Sequence, residues 1–244
     1  MVISIYSDAA ESGSEAATLI SGKLNEVLRK NGEARMAVST GSSQFEMFEA
    51  LLKEKIDWPK VEVFHLDEYI GLPVTHKASF RKYLNERFIN HIRLKKFHSV
   101  DVEGEIDEHV RELTTEIRRK PVDVGLIGIG VNGHVAFNDP PADFKTQDAY
   151  IIVNLDDQCK MQQVSEGWFE TIEDVPDQAV SMSVWQIMQC RTIISVVPHI
   201  VKANAVYKTL TSKLTPAVPA TMLKTHPDWH LILDRNSASG IITF

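Results

Sequence analysis

The 244-residue sequence contains only two cysteines, Cys159 and Cys190, and neither belongs to a CxxC pair. Two thiols without such spacing supply no disulfide framework. Because disulfides are rare in the cytosol, we expect two reduced, partly buried thiols in a cytoplasmic protein.

The sequence also lacks long apolar runs and an excess of basic residues. No run approaches the roughly 18 residues that a membrane span needs, and we expect no signal peptide, because no basic region precedes a long apolar stretch near Met1. Lys and Arg total 26 against 33 Asp and Glu, which gives a net charge of −7. A net acidic chain has no general attraction to nucleic acid or to anionic membranes, so we expect neither as a partner.

Repeats, low-complexity tracts and linkers rich in Gly, Ser or Pro are absent as well. Short apolar runs instead alternate with stretches of helical periodicity. The apolar runs predict strands at residues 2–6, 35–39, 61–66, 122–129, 150–153, 192–197 and 229–233. This alternation predicts an α/β fold in a single domain, residues 1–244. Its mainly parallel twisted sheet carries helices on both faces, in an open, doubly wound, Rossmann-like arrangement.

Ligands of such sheets bind beyond the carboxyl ends of the strands, which selects residues 40–43, 67–68 and 130–139. The first segment is Thr40, Gly41, Ser42 and Ser43. Its amides and hydroxyls precede a predicted helix, as in an anion-binding loop, although a plain turn with a serine cap fits equally. A P-loop is excluded because no GK[ST] follows.

The second segment, Asp67 and Glu68, follows a strand. Adjacent acids there suit a cap, a metal site, a general base or a solvated strand end. Alternation places His65 on the same face as Asp67. A metal site is weakly indicated, because no second His/Asp pair has ligand spacing and no HExxH is present.

The third segment contains His134, which Asn132 and Asp139 could orient. Residues 128–133 match GxGxxG, but Pro140 and the proline after it exclude a long helix here, so a dinucleotide site is disfavoured. We expect the glycines to turn the backbone sharply and expose His134. Lys202 follows a later strand, where a lysine either reaches a phosphate or is simply solvated.

Three segments, in this order, resemble the glucosamine/galactosamine-6-phosphate deaminase (isomerase) family. They are residues 39–43 (STGSS), 65–73 (HLDEYIGLP) and 128–140 (GIGVNGHVAFNDP), and residues 218–223 (VPATML) add a fourth match. The second and third motifs together are highly specific, and the resemblance covers nearly the whole chain.

The resemblance implies an enzyme that converts a 2-amino-2-deoxyhexose 6-phosphate to the ketose 6-phosphate plus ammonia, with no metal or organic cofactor. It implies that Asp67 moves a proton between C2 and C1. It also implies that His134 opens the sugar ring with the help of Asn132 and Asp139. The phosphate would be held by the loop Thr40, Gly41, Ser42, Ser43 and by Lys202.

Several positions depart from the family pattern. The GGTP loop is Gly-Ser-Ser-Gln here, the acid of DGH is Asn132, and the glutamate of NEP is Asp139. In the glucosamine enzymes of the family a lid segment carries a phosphate-binding arginine. The matching residues here, 160–165 (KMQQVS), contain no arginine. The sequence NGH at residues 132–134 resembles the galactosamine-6-phosphate branch of the family, so either hexosamine epimer could be the substrate. The sequence also leaves open whether the protein forms a homo-oligomer.

Two other functions compete with this reading. A 6-phosphogluconolactonase-like hydrolase would share the phosphate loop and a GxGxDGH segment, but it is not expected to carry DEYxGLP. A non-catalytic sugar-phosphate sensor would keep the pocket. The presence of both Asp67 and His134 argues against that reading.

Overall fold

The computed structural model describes residues 1–165 and 167–242, apart from the side chains of residues 158 and 162. Within these residues the strands are β1 (Val2–Tyr6), β2 (Ala34–Val38), β3 (Val61–His65), β4 (Asp67–Tyr69), β5 (Lys96–His98), β6 (Val124–Leu126), β7 (Tyr150–Asn154), β8 (Gln178–Met182), β9 (Thr192–Val196) and β10 (Trp229–Asp234). Seven of them form one parallel sheet in the order β1-β10-β9-β6-β2-β3-β5.

Helices cover both faces of this sheet. They are α1 (Ala9–Asn31), α2 (Phe45–Leu51), α3 (Phe80–Arg87), α4 (Ile106–Arg118), α5 (Asp157–Ser165), α6 (Val184–Ile187) and α7 (Ala203–Thr211). Residues of α1, α2 and α3 share one hydrophobic core, and residues of α4, α6 and α7 share the other. The predicted doubly wound α/β arrangement is therefore confirmed.

The longest helix, α1, has clear sequence signals at both ends. The Asp8 side chain accepts a hydrogen bond from the Glu11 amide at the start, and Gly32 ends the helix in the left-handed conformation (φ 76°).

No helix in the described part of the chain combines the length and apolar character that crossing a membrane requires.

Side chains of β3 alternate between the two cores. Val61 and Val63 contribute to the core under α1, whereas Phe64 and the following Leu66 contribute to the core under α4. All five residues of β3 are buried, and so are all five of β2. The apolar run 122–129 has the same character, but its strand β6 is confined to three residues.

A second sheet was not predicted from the sequence. Three antiparallel strands form it in the order β4-β8-β7, so the predicted strand 150–153 lies outside the parallel sheet. The chain passes from the first sheet to the second at Leu66, whose carbonyl accepts a hydrogen bond from the Met182 amide (2.7 Å). The small sheet therefore begins at Asp67, directly beside the carboxyl end of β3.

Cys159 and Cys190 form no disulfide within the described residues, and each is only 4% exposed. Cys190 packs in the core under α4, while Cys159 lies in a third cluster with Tyr69, Phe137 and Phe169. They are more deeply buried than the partial burial that the sequence suggested.

Candidate active site

A cavity of about 500 Å³ opens at the carboxyl ends of the central parallel strands, a volume typical of small-molecule sites. Residues 39–43 line it after β2, Asp67 after β3, residues 128–131 and His134 after β6, and Lys202 after β9. The three segments selected from the sequence thus converge in one place, as the position of binding sites in parallel sheets predicts.

The loop at residues 40–43 forms the part of the wall that offers backbone amides and hydroxyls. Gly41 has φ 107°, a conformation open to glycine but strained for other residues. Its carbonyl accepts a hydrogen bond from the Tyr83 hydroxyl (2.8 Å). Ser42 begins a 3-10 turn, and the seven-residue helix α2 starts only at Phe45. The loop itself, rather than a long helix, would therefore provide the donors for an anion.

Lys202 reaches the cavity from a strained turn. His199, three residues earlier, has φ 78°, and its amide donates to the Asp234 carboxylate at the end of β10 (3.1 Å). A 3-10 turn over Ile200–Lys202 then leads into α7. Non-glycine residues adopt such a φ only where surrounding contacts hold them, and the bond to Asp234 is such a contact.

Asp67 and Glu68 are buried, so the alternative of a solvated strand end is wrong. Asp67 is 6% exposed and lines the cavity, whereas Glu68 is fully buried behind it. Burial, with the nearby charges of Glu68 and Asp139, raises the pKa of Asp67 to about 8. Asp67 can therefore both accept and donate a proton near neutral pH.

Glu68 holds the segment that follows β4. Its carboxylate accepts hydrogen bonds from the Ser79 hydroxyl (2.8 Å), the Arg81 amide (2.8 Å) and the Phe80 amide (3.2 Å). These bonds fix the start of α3 against β4. The two adjacent acids thus have different roles, since one faces the cavity and the other organises the loop beside it.

The glycines before His134 allow its ring to pack against the backbone. A Cβ built on Gly130 would lie 2.2 Å from the imidazole, closer than atoms can approach. The Gly130 amide donates to the His134 carbonyl (2.9 Å), and Gly133 has φ 90°. The GxGxxG match is therefore a tight turn that presents a histidine, and no helix follows it over residues 128–149.

Asn132, His134 and Asp139 form a connected group. Asn132 donates to Asp139 Oδ1 (2.8 Å) and accepts from the His134 amide (2.9 Å), and His134 Nδ1 lies 3.1 Å from the same Asp139 oxygen. Burial opposes ionisation of Asp139, yet hydrogen bonds from His134, Asn132 and Cys159 outweigh it and hold its pKa at about 2. An ionised carboxylate therefore orients the imidazole.

His65 does not line the cavity that Asp67 lines. It is fully buried at the end of β3, whereas Asp67 begins β4. The burial of His65 lowers its pKa to about 3. Across residues 1–165 and 167–242, no group of three or more His, Cys, Asp or Glu side chains is arranged to hold a metal ion.

The cavity also has walls that sequence reasoning did not identify. Lys77 and Phe80 reach it from the segment after β4, and Cys159 and Trp168 reach it from α5 and the residues beyond. Tyr83 reaches it from α3. These residues follow no strand of the parallel sheet, so the strand-end rule could not find them.

Comparison with known proteins identifies the family of the chain. A family model described as glucosamine-6-phosphate isomerases/6-phosphogluconolactonase matches residues 7–231. A glucosamine-6-phosphate deaminase of Staphylococcus epidermidis is 32% identical over 235 residues, covering 91% of this chain and 94% of the relative. One from Clostridium novyi is 31% identical and covers 99% and 100%. The chain belongs to this family of glucosamine-6-phosphate isomerases and 6-phosphogluconolactonases.

Solved structures show the same fold. A monomeric glucosamine-6-phosphate deaminase superposes with a TM-score of 0.88 at 25% identity, covering 98% of this chain and all of the other. A 6-phosphogluconolactonase of Thermotoga maritima superposes with a TM-score of 0.79 at 17% identity, covering 96% and 99%. The second likeness concerns the fold alone.

Proposed function

We propose that the protein is an aldose–ketose isomerase/deaminase that acts on a 2-amino-2-deoxyhexose 6-phosphate and releases ammonia. The main support for the proposal is the content of a single cavity. It contains a buried carboxyl group, a histidine whose ring contacts an ionised aspartate, and a loop suited to bind a phosphate. The relatives named as glucosamine-6-phosphate deaminases make glucosamine 6-phosphate the first substrate to test.

The phosphate would bind residues 40–43 and Lys202. The loop offers the hydroxyls of Thr40, Ser42 and Ser43 along with backbone amides, and the lysine offers a positive charge. Together they would hold the anion against the net negative charge of the chain.

His134 would open the ring. A closed pyranose has no acidic C–H bond, so the C1 hydroxyl must first lose its proton while the ring oxygen gains one. An imidazole can perform both transfers. Asp139 lies beside Nδ1, which leaves Nε2 for the sugar, and Asn132 fixes the backbone and the carboxylate of this pair.

Asp67 would then carry the isomerisation. Its carboxylate removes the C2 proton of the open-chain sugar while the aldehyde oxygen gains a proton from the sugar ammonium group, which gives an enolamine. The resulting acid then returns the C2 proton to C1. The product is a ketose imine, which water cleaves to the ketose 6-phosphate and ammonia. A pKa of about 8 suits a group that must take and return one proton.

The test is ammonia release from glucosamine 6-phosphate and galactosamine 6-phosphate, assayed side by side with hydrolysis of 6-phosphogluconolactone. Ammonia from either amino sugar supports the proposal and identifies the epimer. Lactone hydrolysis without ammonia release would replace it by a hydrolase, and binding without turnover of any of the three would replace it by a sensor.

The proposed chemistry uses a carboxylate and an imidazole and calls for no metal or organic cofactor. We therefore expect activity to survive dialysis against EDTA. Loss of activity that a divalent ion restores would contradict this part of the proposal.

A further inference from the structure

Lys77 is a second lysine on the wall of the cavity. It lies in the segment between β4 and α3, and its Nζ donates to the Gly167 carbonyl (3.0 Å), next to the cavity-lining residue Trp168. The side chain is exposed, and among the ion pairs formed by the described residues none involves Lys77. Among the described residues, the acceptor of this hydrogen bond is thus a neutral carbonyl.

The backbone that carries Lys77 is firmly placed. Ala78 and Ser79, the next two residues, are buried and line the same cavity. The Ser79 hydroxyl donates to buried Glu68 (2.8 Å), and the Ala78 amide donates to the His76 ring (3.1 Å). Lys77 thus projects from a fixed point, while its four-carbon stem stays free to turn.

This wall leads directly to the loop at residues 40–43. From Ser79 the chain enters α3, and four residues later the Tyr83 hydroxyl bonds to Gly41 (2.8 Å). Four helical residues rise about 6 Å. Lys77 and the loop at residues 40–43 are therefore connected through the start of α3, and both line the cavity.

The charges of the cavity favour a second cation. A phosphate monoester carries about −1.5 to −2 at neutral pH, and the ionised carboxylate of Asp139 lies behind His134. The carboxyl group of Asp67, whose pKa is about 8, adds further negative charge as the pH approaches that value. One ammonium, that of Lys202, does not balance these groups. The amino group of the sugar is itself cationic, so a second lysine would repel that end of the substrate and attract the phosphate.

We propose that Lys77 is a second phosphate-binding residue, which exchanges the Gly167 carbonyl for a phosphate oxygen when the sugar phosphate enters. This inference rests on the proposed function for the identity of the sugar but not for the phosphate itself. Exchange of a neutral acceptor for an anionic one strengthens the hydrogen bond of an ammonium. The contact to Gly167 also ties the segment beyond α5 to this wall of the cavity.

The experiment compares Lys77→Gln, Lys77→Arg and Lys82→Gln with the wild type. Lys82 is a matched control, because its Nζ also donates to a backbone carbonyl, that of Thr75 (3.3 Å), and it does not line the cavity. Binding of inorganic phosphate is measured by calorimetry at low ionic strength, and KM and kcat by ammonia release.

We expect Lys77→Gln to raise both the Kd for phosphate and KM about tenfold, with kcat within threefold of wild type. Lys77→Arg and Lys82→Gln should each stay within about threefold of wild type. The proposal is overturned if Lys77→Gln binds phosphate like the wild type, if Lys82→Gln weakens binding equally, or if the wild type binds no phosphate.

These readouts separate the two proposals. Loss of phosphate binding in Lys77→Gln, in a protein whose wild type releases no ammonia, would retain Lys77 as a phosphate ligand and reject the deaminase. Ammonia release with unchanged KM and Kd in Lys77→Gln would retain the deaminase and reject Lys77.

Discussion

Strand β3 has a buried carboxyl group near each of its ends, and the two groups differ in ionisation. Glu62, near its amino end, is 4% exposed, and Asp67, just beyond its carboxyl end, is 6% exposed. Burial disfavours the charge of both groups. Around Glu62 the bonds and charges of Lys95, Arg119 and Arg35 outweigh burial and hold its pKa at about 2. Around Asp67 the neighbouring charges are acidic, and its pKa rises to about 8.

At these two positions the neighbouring cations, and not the extent of burial, account for the difference between the two pKa values. Arg35 Nε lies 3.3 Å from Glu62, Arg119 Nη2 3.1 Å and Lys95 Nζ 3.0 Å. Among the described residues Asp67 forms no such pair, and the ion pairs beside it belong to Glu68 and Asp139. The amino end of the sheet therefore uses a carboxylate for stability, whereas the carboxyl end keeps a carboxyl group whose proton can move.

The largest expected effect comes from Asp67→Asn. Removal of a general base should lower kcat about a thousandfold in the ammonia assay. The same change should stabilise the protein at pH 9, by about 1–3 kcal/mol. The pKa of Asp67 is raised in the folded protein, so the free energy of unfolding of the wild type falls as pH rises from about 4 to about 8. The amide of the Asp67→Asn variant does not ionise, so this variant does not show the fall. Urea unfolding at pH 9 measures it. A variant that is inactive but less stable than wild type would contradict the account.

Glu62→Gln should give the opposite pattern. Removing one member of a buried ion pair leaves Arg35 unpaired and should lower the free energy of unfolding by about 3 kcal/mol at pH 7, with ammonia release within twofold of wild type. The folded pKa of Glu62 is depressed, so its stabilisation is present above pH 4.5 and is lost as pH falls through about 2. Asp57→Asn, which breaks an exposed pair with Lys60 (2.7 Å), is the control and should change little. Equal losses of unfolding free energy in both variants would show that the buried ion pairs of Glu62 stabilise the protein no more than an exposed pair does.

The pH dependence of kcat/KM sharpens the comparison without mutation. If Asp67 must be ionised in the free enzyme, kcat/KM should rise about tenfold per pH unit up to about pH 8 and then level. A plateau that already begins near pH 5 would mean that Asp67 has an ordinary carboxyl pKa when it acts.

The main sheet was predictable from the sequence because its strands are apolar on both faces. β2, β3 and β9 were predicted within one residue at each end, and helices lie between them. The second sheet was not predictable in this way, because β4 is only three residues long and pairs with β8, which lies more than 100 residues later in the chain. Residues 178–182 (QAVSM) carry no strong strand signal, and their pairing depends on tertiary contact.

The candidate site was predictable to the same extent. Residues at strand ends, such as Asp67 and His134, were found because the parallel sheet dictates where its ligands bind. Residues that reach the cavity from the second sheet and α5, such as Lys77 and Cys159, had no local signature. The burial of Asp67 also depends on β8, to which it pairs through Ser181, and that contact is not encoded near position 67.

Cys159→Ala should have the smallest effect, and it tests a third carboxyl group. Asp139 is ionised like Glu62, but hydrogen bonds from His134, Asn132 and Cys159 support it instead of lysine and arginine. A thiol is a weak donor, and the two remaining donors lie at 3.1 and 2.8 Å. The pKa of Asp139 should therefore stay far below neutral, and kcat/KM at pH 8 should change less than twofold. Asn132→Ala removes a stronger donor and should cost about tenfold in the same assay. A tenfold loss in Cys159→Ala that Cys159→Ser restores would show instead that the charge of Asp139 depends on the thiol. Asp139 would then resemble Asp67, whose ionisation is weakly supported, rather than Glu62.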